Sequence, residues 1–168
     1  EEWEAAASLL LRCGDPRALD AYLEHDRIVA GTFDEQLDFV VDQWRMVHAS
    51  GGVCAINASS NDHVDAANAA VQSARLAAGE VDSRRAARIG GSEYAHIGDV
   101  VVTRRNDRCL TTDLGEPVRN REAWIVVGIS DDGSLTVSSN GGAGRVALPA
   151  EYATEHVRLG YAATEHGI

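Results

Sequence analysis

Ser59, Ser60, Asn61 and Asp62 form a polar turn between a short apolar run, Val53 to Ile56, and an Ala-rich stretch that starts near His63. The apolar run predicts a short buried strand, and the Ala-rich stretch predicts a helix over 61–78 that stops at Gly79. Asn61 stands at the predicted N-cap of that helix. A strand, a polar turn and a helix N-terminus present free backbone N–H groups at the positive end of the helix dipole. That chemistry is anion binding, and a phosphate suits it. Nucleic acid is therefore a candidate partner.

Other chemistries find little support in the spacing. Cys13, Cys54 and Cys109 are dispersed, with no C-x-x-C pair and no His at ligand spacing, which argues against zinc. An odd, scattered set of thiols fits a reducing cytoplasm. The six His residues show no H-x-x-x-H pair, and no Ser-His-Asp set follows from spacing. There is no G-x-x-x-x-G-K-[ST] loop, and every basic residue is Arg.

The net charge of −11 opposes general nucleic-acid affinity, but the charge is uneven. Residues 1–50 carry 11 acids and 4 Arg, whereas residues 98–148 carry 7 acids and 6 Arg. No run of about 18 apolar residues exists, so no transmembrane helix is expected. The acidic start, Glu1-Glu2-Trp3-Glu4, is unlike a secretory signal, and the lack of an initiator Met suggests a piece of a longer chain.

The elements that position these residues fall into two kinds. Up to about residue 90, helices predominate. Trp3, Ala6, Ala7, Leu10 and Leu11 share one face of a helix over 3–13 that ends at Gly14. Asp15-Pro16 opens a second helix with Leu19, Tyr22 and Leu23. Arg27–Gly31 reads as extended, and Thr32 caps a long helix to about Ala49, with Glu35 at capping-box spacing. Ser50-Gly51-Gly52 terminates that helix. From Ile97 onward the period is nearer two. Segments 98–106, 109–112, 124–129, 134–138 and 144–148 read as strands, with Asp131-Asp132-Gly133 as a turn and a short helix after Pro149. Such a series of short strands points to a small barrel or sandwich.

Three segments in order resemble the RecD-like superfamily 1 DNA helicases, closest to the helicase region of MobF-type conjugative relaxases. Ala58, Asn61, Val64 and Asn68 match the pattern A-P-T-N-x-x-V-x-x-L-N; Ser59, Ser60 and Ala67 depart from it. Gly98-Asp99-Val100-Val101 through Asn106, then Val118-Arg119-Asn120, resembles the signature of that family's SH3-like insertion. Leu159, Tyr161, Ala162, Thr164 and His166 resemble its return strand, while Gly167-Ile168 departs from the expected continuation.

The resemblance implies an α/β fold. Residues 1–95 would be a partial RecA-like helicase domain, with helices around short parallel strands. Residues 96–155 would be an inserted small SH3-like β-barrel, and 156–168 a strand returning to the motor domain. It implies single-stranded DNA and the remaining domains of a parent helicase as partners. ATP and Mg²⁺ would be bound elsewhere in that parent, so this piece has no cofactor and no ATPase activity of its own. Ser60 and Asn61 would meet a phosphate under the strand. Arg104, Arg105 and Arg108 on the first barrel hairpin, with Arg119 and Arg121 on the next loop, would line the DNA channel. The alternative for these Arg residues is an ordinary solvated hairpin in which they pair with Asp107, Asp113 and Glu122. Trp124, in an apolar strand, is expected in the core. The alternative is an SH3-like protein–protein interaction module that contacts no nucleic acid.

Overall fold

The structure is a computed structural model and describes residues 2–139 and 141–164. The chain divides into two compact units, residues 1–36 and 37–168.

The first unit holds α1 (Glu2–Arg12), α2 (Arg17–Glu24) and the first turn of α3 (Phe33–Ala49). Ala7 of α1 and Ala18 of α2 are buried, and Trp3 stacks on His25 with ring centres 3.8 Å apart. The small Ala pair lets two short helices approach where large side chains would hold them apart. Asp15 accepts the Arg17 backbone N–H at 3.0 Å and so caps α2. Thr32 and Glu35 form the expected capping box: the Thr32 N–H donates to Glu35 Oε2 at 2.8 Å, and the Glu35 N–H to Thr32 Oγ1 at 3.4 Å. Residues 27–31 are irregular and unpaired in any sheet.

The second unit mixes helices with open sheets, as an α/β class allows. Trp44 of α3 is buried, with Leu37, Val40 and Val41 packed against the core. β1 (Ile56–Ala58) pairs in parallel with β11 (Ala162–Thr164), Ile56 opposite Ala162. The expected strand at 53–56 is therefore displaced: Val53 is 97% exposed and only Ile56 of that run is in the ladder. The position of its partner β11, and not local apolarity, fixes where β1 lies. α4 (Asn61–Ala77) buries Val64, Ala67, Asn68, Val71 and Arg75, one stripe at helical spacing. Helices α1, α3 and α4 end in the same way, with Gly14, Gly51 and Gly79 at φ +68°, +76° and +71°.

A hairpin of β2 (Asp82–Arg88) and β3 (Tyr94–Ile97) follows, closed by a short turn at Gly90–Ser92. No alternation of apolar and polar residues marks it in the sequence. The main sheet has five antiparallel strands in the order β10-β4-β7-β8-β9. They are β10 (Val157–Leu159), β4 (Val100–Thr103), β7 (Ala123–Ile129), β8 (Leu135–Ser139) and β9 (Arg145–Leu148). Trp124, Val101, Leu135, Val137 and Leu148 are fully buried, so Trp124 is a core residue as expected. The segments 98–106 and 109–112 do not form a hairpin together. β4 pairs with β7 and β10, while β5 (Asp107–Thr111) pairs with β6 (Pro117–Val118).

A short helix, α5 (Ala150–His156), leads into β10. The stretch read as one return strand is split at Gly160. Val157–Leu159 joins the five-stranded sheet, and Ala162–Thr164 joins β1. His166 and the other residues of 165–168 lie outside the described residues. Among the described residues, no helix is long and apolar enough to cross a membrane.

Candidate nucleic-acid interface

Ser60, not Asn61, caps α4. Ser60 has extended backbone angles (φ −140°, ψ 159°), and its Oγ accepts the His63 N–H at 3.3 Å. Asn61 is the first helical residue, and its exposed side chain is released from capping. Two capping residue types stand side by side here, and the one with extended angles takes the role.

Asn61 borders a polar cleft of about 380 Å³ that is also lined by Gly90, Gly91, Arg104, Glu155 and Arg158. Arg104 also lines a second cleft of about 410 Å³, beside the β1–β11 pair. Asn61 and Arg104 thus come together, and Arg104 joins the two clefts. The Arg104 backbone N–H is bound to His156 O at 2.7 Å, which fixes the chain at this point. Arg104 and Arg108 are exposed, and neither pairs with an acid among the described residues.

The other expected contacts lie apart. Arg105 reaches His156, Nη1 to Nε2 at 3.0 Å, in a smaller cleft with Tyr152 and Glu151. The Tyr152 hydroxyl donates to Arg105 O at 2.5 Å, and burial is the first cause that raises its pKa above the ordinary value. Arg119 is paired with Glu116 at 3.0 Å, and its N–H donates to Glu122 at 3.1 Å. Its guanidinium is therefore already neutralised at the surface.

Arg158 was not singled out from the sequence. Its guanidinium donates to Glu93 (3.0 Å) and Asp65 (2.8 Å), and the Glu93 bond is the first cause of its raised pKa. An Arg between the two buried residues Val157 and Leu159 was the available signal.

Below the clefts lies a buried polar network. Asn68 Oδ1 accepts the N–H groups of Tyr161 (2.9 Å) and Ala162 (2.8 Å), and its Nδ2 donates to Leu159 O at 3.2 Å. The Tyr161 phenol donates to Asp99 at 2.5 Å. The other Asp99 oxygen accepts Gln72 Nε2 (2.5 Å) and the His96 N–H (2.8 Å). Arg75 donates to Tyr161 Oη at 2.9 Å and to Gly98 O at 3.0 Å, with its guanidinium over the Trp44 and Tyr161 rings. The network satisfies a fully buried carboxylate, which would otherwise be costly in the interior. These residues position the clefts and do not line the polar one.

Among the described residues, no group of three or more His, Cys, Asp or Glu side chains is arranged to hold a metal ion. Comparison with protein-family models, with curated proteins and with solved structures found no match to this chain.

Proposed function

We propose that this chain is part of a RecD-like DNA helicase of the kind found in MobF-type conjugative relaxases, and that it contributes contacts to single-stranded DNA. The observation that carries this reading is the convergence on Tyr161. Its backbone binds Asn68, and its phenol binds Asp99. Asn68, Asp99 and Tyr161 come from the three separate segments on which the resemblance rests. Unrelated local matches have no reason to meet in one buried network.

The parallel β1–β11 pair against α4 supports the partial RecA-like part of the reading. Four of the five antiparallel strands, β4, β7, β8 and β9, fall within 96–155 and support the SH3-like insertion. Ser60, Asn61 and Arg104 are the first contacts to the strand, with Arg105 and Arg108 beyond them and Arg119 held back by Glu116. ATP and Mg²⁺ belong to the parent, and this piece hydrolyses nothing alone.

The rival reading, an SH3-like protein–protein module, draws on the net charge of −11. Titration of labelled single-stranded DNA at about 0.01 M and about 0.1 M salt separates the two. Binding that weakens with salt supports the helicase reading; no binding at the lower salt overturns it.

A further inference from the structure

His156 is the last residue of α5, and its ring meets two partners of opposite charge at one nitrogen. Arg105 Nη1 lies 3.0 Å from His156 Nε2, and Glu155 Oε2 lies 3.5 Å from the same atom. A guanidinium only donates, so Nε2 is the acceptor there, and the neutral ring carries its proton on Nδ1. The Glu155 carboxylate requires the opposite, an Nε2–H that donates. One nitrogen cannot serve both partners at once.

The surroundings keep the two states close in energy. Arg105, from the segment after β4, is the cation that faces the ring. Asp107 of β5 and Glu151 and Glu155 of α5 are the acids of the same cleft, and Glu122, just before β7, acts on the neighbouring Tyr152. Glu155 also borders the polar cleft with Arg104 and Arg158. The Arg105 bond favours the neutral ring, and the acids favour the imidazolium. The backbone is fixed in either case. His156 O accepts the Arg104 N–H at 2.7 Å, the Tyr152 hydroxyl donates to Arg105 O at 2.5 Å, and the Tyr152 ring meets the His156 ring edge-on at 5.3 Å. Arg105 and Glu155 are exposed, so their side chains can move.

We infer that His156 is a proton-operated switch for the Arg105 side chain. When the imidazole takes a proton from water onto Nε2, it can no longer accept, and two cations face each other. The new Nε2–H donates to Glu155, and the Arg105 guanidinium leaves the cleft for solvent. When the proton returns to water, Nε2 takes Arg105 back. No ligand enters this exchange, so the switch does not depend on the DNA reading.

NMR of the full nitrogen-labelled chain, without ligand, tests this at about pH 8 and about pH 5, the limits between which an imidazole ordinarily gains its proton. Arg104, exposed and with no acid partner among the described residues, is the internal reference. At the higher pH, His156 carries its proton on Nδ1, and the Arg105 guanidinium rotates about two- to tenfold more slowly than that of Arg104. At the lower pH the two rotate alike, and the change shares its midpoint with His156 protonation. Glu155→Ala lowers that midpoint by about 0.2 to 0.7 pH unit, since the imidazolium loses its acceptor. In His156→Gln the amide oxygen accepts at any pH, so Arg105 stays slowed throughout. A proton on Nε2 at the higher pH, or an Arg105 whose rotation does not change between the two, overturns the switch. So does an unmoved midpoint in Glu155→Ala, or release of Arg105 at the same midpoint in His156→Gln. The tautomer and the Arg105 rotation are read in the unaltered chain, so they decide even where a variant fails to fold.

Discussion

The Tyr161 hydroxyl donates to the buried Asp99 carboxylate at 2.5 Å across a sequence separation of 62 residues. This bond ties the strand that returns to β1 to the tight turn before β4. Burial is the first cause, and the Asp99 charge the second, that push the Tyr161 pKa well above its ordinary value of 10.0. A raised folded-state pKa means that the folded chain holds this proton more tightly than the unfolded chain. The resulting stability is complete below pH 10.0 and is lost as the pH rises beyond it. Tyr161→Phe leaves Asp99 short of a donor. It should lower unfolding free energy by about 1–3 kcal/mol at neutral pH and remove this residue's share of the alkaline decline. Urea unfolding at several pH values checks both, and an unchanged alkaline limb in Tyr161→Phe refutes the assignment.

Asn68 holds the other side of Tyr161. Its side chain makes three hydrogen bonds to the backbone of residues 159–162. Asn68→Ala should cost about 2–4 kcal/mol, since three buried backbone groups lose their partner. Amide exchange of Tyr161 and Ala162 should rise above that of the distant β7–β8 ladder. Uniform exchange across both regions would show that Asn68 does not act locally.

What was legible in the sequence was local. The Thr32–Glu35 box and the glycine stops at Gly14, Gly51 and Gly79 lie within a few residues of the helices they end, so spacing alone revealed them. The β2–β3 hairpin was hidden because Ala87 is the one fully buried residue of Asp82–Arg88, which leaves no period-two signal. β1 was misplaced because Ala162–Thr164 fixes its register from the far end of the chain. The cleft gathers Asn61, Gly91, Arg104 and Arg158 from four separate parts of the chain, and no sequence window spans them.

Gly91 shows how tightly that cleft is built. It has φ +66°, and a Cβ there would lie 2.5 Å from Arg158 Cζ. That guanidinium cannot move freely, because Glu93 and Asp65 hold it. Gly91→Ala should cost about 2 kcal/mol or more, from left-handed strain and a displaced ion pair. Arg158→Met in the Gly91→Ala background relieves the clash, so the two changes should be less than additive in thermal unfolding. Full additivity would mean that the residues do not meet.

Asp82 offers an acid-side test. Arg84 donates to it from the backbone (3.0 Å), from Nε (2.9 Å) and from Nη2 (2.7 Å). The side-chain bond is the first cause that lowers the Asp82 pKa from 3.8 to about 2. A lowered folded-state pKa gives stability that is present above pH 3.8 and lost as the pH falls toward 2. Arg84 is solvent-exposed and Asp82 is partly so, and salt therefore weakens the effect. The Asp82 carboxyl carbon should titrate near 2 at low salt and move toward 3.8 at about 1 M salt. A midpoint at the ordinary value in low salt means that the fork does not form.

Arg119 and Arg104 differ in whether their charge is already committed. Arg119 is paired with Glu116 at 3.0 Å, whereas Arg104 has no acid partner among the described residues. Arg104→Ala with Arg105→Ala should weaken single-stranded DNA binding and flatten its salt dependence. Arg119→Ala alone should do less, since it removes a cation that Glu116 has neutralised. Glu116→Ala should strengthen binding about two- to fivefold, by freeing Arg119 and removing an acid that repels phosphate. A role of Arg119 confined to the hairpin predicts no gain. An unchanged Kd for Glu116→Ala at low salt would therefore take Arg119 out of the interface and leave the Arg104 contacts untouched.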